Sequence, residues 1–95
     1  MQMTGMRTLV PRGTNVLCQR QEEPNESGIV LPAAKTDEGY VIRAVVVDTG
    51  YEAAHTYEDE IVYFSRLDGE PVIFRGDDYY LVPEDRILAH ESIED

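Results

Sequence analysis

Glu60-Ile61-Val62-Tyr63-Phe64 admits two readings. It lies within residues 51–68, a span free of glycine and proline, where Ala54, Tyr57, Ile61 and Phe64 recur at helical spacing. Against a helix, Ile61 to Phe64 are all β-branched or aromatic, side chains that suit a pleated surface. A strand from Glu60 to Phe64 is therefore the preferred reading. Outward from it, Gly13, Pro24, Gly28, Pro32, Gly39, Gly50, Gly69, Pro71, Gly76 and Pro83 divide the chain into intervals mostly too short for an ordinary helix. Strands are expected over residues 15–20, 41–48, 71–75 and 79–82, with a final extended piece over 87–90. Asp68-Gly69 reads as a turn. Arg75-Gly76-Asp77 joins two strands as a hairpin. Pro83-Glu84-Asp85-Arg86 reads as a single helical turn, with proline and acids at its start. Short strands with turns at this spacing predict an all-β class, a small barrel or sandwich. The 95 residues make one domain, 1–95, with too little chain for two cores.

Charge narrows the function. Nineteen acids against eight Lys plus Arg give a formal net charge of −11. Lys35 is the single lysine, and no basic cluster exists. This balance repels phosphate backbones and anionic lipid, so neither nucleic acid nor a membrane is an expected partner. Cys18 is the only cysteine, which excludes a disulfide framework or a Cys-based zinc site within one chain. It is expected as a half-buried structural thiol. No apolar run reaches the roughly 20 residues of a membrane span, and residues 1–12 lack a secretory signal's apolar core. A cytoplasmic protein is expected. His55 and His90 read as surface residues. Glu58-Asp59-Glu60 and Asp77-Asp78 read as solvated acidic turns rather than cation sites. No phosphate-cradling glycine loop is present. The expectation is a chain that is not an enzyme and takes no cofactor or metal.

Residues 21–40 are anomalous. A polar, acidic approach, Gln21 to Ser27, and a small, polar exit, Ala33 to Gly39, flank one apolar island, Ile29-Val30-Leu31, between Gly28 and Pro32. Read from pattern alone, the island is either a short core strand or an exposed hook on a long functional loop.

Ser27-Gly28-Ile29-Val30-Leu31-Pro32 resembles the mobile-loop motif of the chaperonin-10 (GroES-like) co-chaperonin family. Other segments agree in order. Pro11-Arg12-Gly13-Thr14-Asn15-Val16-Leu17-Cys18-Gln19 is similar to the family's opening pattern. Ala44-Val45-Val46-Val47-Asp48-Thr49-Gly50 resembles the strand before its roof hairpin. Asp59 to Phe64 resembles its Gly-Asp-x-Val-x-Phe strand. Gly76 to Val82 and Glu84 to Ala89 are similar to its C-terminal hairpin and closing strand. The likeness spans about residues 7–90. There are departures. Thr14-Asn15 replaces an Asp-Arg pair, and Asp59 stands where glycine is common. Residues 51–58 are too short for the roof β-hairpin, a feature that phage co-chaperonins share.

The resemblance implies a GroES-like β-barrel and a co-chaperonin that caps an ATP-hydrolysing chaperonin of the GroEL type over unfolded client proteins. It implies a homo-heptamer in which the first and last strands of neighbours pair. The matching positions, around residues 6–11 and 87–90, make Leu9, Val10, Ile87, Leu88 and Ala89 the subunit contacts. Gly28, Ile29, Val30, Leu31 and Pro32 would bind the chaperonin, from a loop over about 21–40 that is ordered only on binding. Localisation would be the cytoplasm, or the host's if a phage encodes the chain. With the roof shortened, Glu52, His55 and Glu58 would line a more open dome. The competing class is a monomeric β-barrel adaptor that adds Ile29-Val30-Leu31 to a partner's sheet edge. A third is a small acidic enzyme or metal-binding barrel.

Overall fold

The computed structural model describes residues 7–21 and 41–92. They form six strands: β1 (Asn15–Arg20), β2 (Val41–Thr49), β3 (Ile61–Ser65), β4 (Glu70–Phe74), β5 (Asp77–Pro83) and β6 (Ile87–His90). Single 3₁₀ turns cover Arg66–Asp68 and Glu84–Arg86. The run at Ile61 resolves as strand. The apolar spacing of 51–68 produces no helix, because Val62, Tyr63 and Phe64 are all buried in the sheet. The sheet order is β4-β5-β1-β2-β3-β6, with every pair antiparallel.

This sheet is strongly curved. Phe64 on β3 and Tyr80 on β5 are separated by β1 and β2, about three strand spacings or ~14 Å on a flat sheet. Their ring centroids nevertheless stand 5.7 Å apart, edge to face. The curl encloses one core of Val16, Cys18, Ile42, Ala44, Val46, Ala53, Val62, Phe64 and Val82, with Tyr80 and Ile87 packed against it. The outcome is the expected all-β fold, a small irregular GroES-like barrel. Cys18 departs from expectation in degree: it is fully buried, because β1 is central and covered on both faces.

Two irregularities re-aim side chains. Between Leu17 and Cys18 of β1 the register with β2 slips, leaving Val47 as the extra residue. Val46 then points into the core and Val47 outward, 39% exposed. A second slip, between Tyr63 and Phe64, leaves Leu88 of β6 unpaired. The hairpin of β4 and β5 turns on Arg75 and Gly76, both at positive φ (55° and 84°), the twist a two-residue connection requires.

Candidate functional site

The chaperonin-contact residues expected from sequence, Gly28, Ile29, Val30, Leu31 and Pro32, lie outside the described residues. Both attachment points of their segment are described. β1 ends and β2 begins as hydrogen-bonded neighbours, with Arg20 opposite Ala44 and the Gln21 N–H donating to the Arg43 carbonyl at 2.9 Å. Residues 22–40 thus leave and rejoin the barrel at adjacent points.

Among the described residues β6 forms one edge of the sheet, hydrogen-bonded to β3 alone. Its apolar residues divide. Ile87 packs on the core, whereas Leu88, 63% exposed, and Ala89 face solvent. An exposed leucine on an open edge is a pairing surface unless something covers it. Leu9 and Val10 sit in the segment ahead of β1. Val10 is exposed, and Leu9 lies over β1 and β2 beside Leu17 and Val47. Within one chain the structure therefore keeps the two expected halves of a subunit contact on different parts of the barrel, as head-to-tail association requires.

β6 is bracketed by two glutamates that sequence reasoning did not single out. Ahead of it, the Glu84 carboxylate accepts hydrogen bonds at Oε2 from the His55 N–H (2.7 Å) and the Thr56 hydroxyl (2.6 Å). The Glu84 N–H donates to the Thr14 carbonyl. Beyond β6, Glu91 Oε2 accepts from Arg43 Nε at 3.0 Å and from the Tyr63 hydroxyl. These bonds, the arginine's foremost, hold the Glu91 carboxyl below its ordinary range. Burial, then the bond to Glu91, raises the Tyr63 phenol. The one available signal was Arg43 itself, a charge inside the apolar run Val41-Ile42-Arg43-Ala44.

Residues 50–60, where a roof hairpin was expected to be shortened, contain turns and no strand. They fold back onto the barrel. The Gly50 N–H donates to the Asn15 carbonyl and the Glu52 N–H to the Gly13 carbonyl, at 2.8 and 2.9 Å. A Cβ on Gly50 would stand 2.3 Å from the Gly13 oxygen, so only glycine allows this approach. Ala53 and Thr56 are buried, while Glu52, His55 and Glu58 are exposed. Asp59 sits at φ 73°, the left-handed region that explains glycine's fitness for that position.

Burial pushes the Cys18 thiol up to about 12, far from a nucleophile's range. No group of acids, histidines or cysteines among the described residues has metal-holding geometry. No helix among them is long and apolar enough to cross a membrane. What the arrangement does offer is an edge strand clamped at both ends and a long segment anchored at adjacent strand ends. A comparison with curated proteins finds no match. Residues 8–91, which include all six strands, match the family model described as "Chaperonin 10 Kd subunit".

Proposed function

The chain belongs to the chaperonin 10 kDa family, and from that premise we propose that it caps an ATP-hydrolysing chaperonin ring and encloses client polypeptides. The family match over residues 8–91 carries this reading. A co-chaperonin role in general follows from membership, and such proteins serve their partner without catalysing a reaction themselves. The finer roles below are the proposal.

Gly28, Ile29, Val30, Leu31 and Pro32 form the hook. Burying Ile, Val and Leu in a partner's apolar groove contributes about 1.5–3 kcal/mol each. Ordering a tether costs about 1–2 kcal/mol per residue, so fixing roughly ten residues cancels the gain. A single loop binds weakly. Useful affinity needs several loops on one ring, where each bound loop raises the effective concentration of the next. Gly28 lets the chain turn into the groove, and Pro32 stiffens the exit. Anchorage of both tether ends at paired strands supports this role, since it leaves the barrel's hydrogen bonding intact whatever the hook does.

The ring is a heptamer in which Leu9 and Val10 of one subunit meet Ile87, Leu88 and Ala89 of the next. Exposed Leu88 on the open edge of β6 supports it. The decisive experiment is co-sedimentation of the purified protein with a GroEL-type chaperonin, with and without ATP. Nucleotide-dependent co-sedimentation is expected. Its absence under every nucleotide condition would remove the capping role.

A further inference from the structure

On the side of β1 that faces away from the core, Leu9, Leu17, Val47, Phe74 and Tyr79 line a groove of about 260 Å³. Small-molecule sites run to roughly 300–1,000 Å³ and bury most of their ligand. This groove falls just below that range and has room for an aliphatic side chain with part of its backbone. Its rim bears Arg7 and Arg75, with Asp77 the single acid beside them. Two of the chain's few basic residues thus converge on one apolar groove, on a protein of net charge −11. Arg75 lies over the Phe74 ring, 5.6 Å from its centroid. No carboxylate among the described residues pairs with either guanidinium.

We propose that this groove receives the tail Ile93-Glu94-Asp95 of a neighbouring copy, with Ile93 in the groove and the two acids against Arg7 and Arg75. The inference rests on the ring reading above and assigns it a further contact. The tail follows Ser92, the last described residue, and its order of one aliphatic then two acids complements an apolar groove with a basic rim. Ser92 lies at the β6 edge, with Glu58 and Ile61 around the same hollow. In a ring, head-to-tail packing turns that edge toward a neighbouring copy.

The test uses the full chain with Arg75→Cys and Glu94→Cys, oxidised in the assembled state. Native Cys18 is buried and its thiol raised to about 12, so it stays silent. A ladder of disulfide-linked subunits is expected. A disulfide closed within one chain, or none in an intact assembly, would overturn the proposal. Alongside it, Ile93→Asp should raise the concentration at which assemblies dissociate at least tenfold. Arg75→Asp should do likewise, since aspartate tolerates the positive φ there. Adding Glu94→Lys to Arg75→Asp should restore assembly. Rings indifferent to all three changes would sink the tail contact and leave the capping role standing. A wild-type chain that is monomeric at every concentration would sink the contact and the ring together.

Discussion

Arg43 and Glu91 lie 48 positions apart and meet through Arg43 Nε and Glu91 Oε2 at 3.0 Å, which ties the end of β6 across β3 to β2. The guanidinium side chain is 9% exposed and the carboxylate 31%, so the bond is only partly screened by water. Glu91 is held below its ordinary value of 4.5, first by Arg43 and then by Tyr63. A carboxyl lowered on folding contributes stability above its unfolded value, and loses it as pH falls through the folded one. Glu91→Gln should therefore be less stable than wild type at pH 7, by about 1.5–3 kcal/mol for the loss of charge-assisted bonds. The two proteins should converge as pH falls through the lowered folded value of Glu91. Urea unfolding across pH 2–7 measures this, and a gap that persists at pH 2 would contradict it.

Asp59 pays for its left-handed backbone. Replacing it with valine, whose branched Cβ tolerates φ 73° badly, should cost about 1–2 kcal/mol. Glycine at the same place should be no less stable than wild type. Equilibrium unfolding of the two variants gives the comparison, and equal stabilities would show that the conformation is relaxed.

Gly50→Ala should be more disruptive still. The new methyl would meet the Gly13 carbonyl oxygen, which is backbone and cannot swing aside. The segment after β2 should peel away from β1, with faster amide exchange at Glu52 and Ala53, whose N–H groups bond to Gly13 and Gly50. Unchanged protection at both would refute the clash.

Leu88→Asp separates assembly from folding. Leu88 is unpaired in β6 and largely exposed, so the isolated subunit should keep wild-type stability to within about 0.5 kcal/mol. A charge buried in a subunit contact is a different matter, and sedimentation should show monomers. Rings that survive would place the contact elsewhere.

Leu31→Asp probes the hook. Ring mass should be unchanged and chaperonin co-sedimentation lost, because the penalty of a few kcal/mol recurs at every occupied loop. Binding that persists in an intact ring would refute the hook, and a lost ring would make residues 29–31 a core strand.

Periodicity and punctuation were enough to place every strand within a residue or two, since short β-branched runs between turns leave few alternatives. β1 and β6 coincide with expectation, whereas β5 starts two residues early, at Asp77, because the tight Arg75-Gly76 turn pairs it at once with Phe74. The bulges at Val47 and Leu88 were not legible. A slipped register leaves alternation locally ambiguous, and only cross-strand partners decide which apolar residue faces out. The clamps at Glu84 and Glu91 were invisible for another reason. Acids are common in this chain, and nothing local distinguishes a carboxylate with partners 28 or 48 positions away. Residues 28–32, which resemble the family's loop motif, lie outside those described.

Adjacent anchorage of the segment between β1 and β2 sets a leash. Ile29 stands eight positions beyond Gln21 and Leu31 ten before Val41. At about 3.3–3.6 Å per residue the shorter arm pays out to roughly 26–29 Å, and the longer one cannot extend that radius. On the proposal that residues 29–31 are the chaperonin contact, a docking groove on the partner would have to fall inside this sphere, centred on the rim of the barrel where the two strand ends meet. Lengthening the exit arm alone should therefore leave the attainable distance unchanged, whereas residues added between Gln21 and Gly28 should widen it.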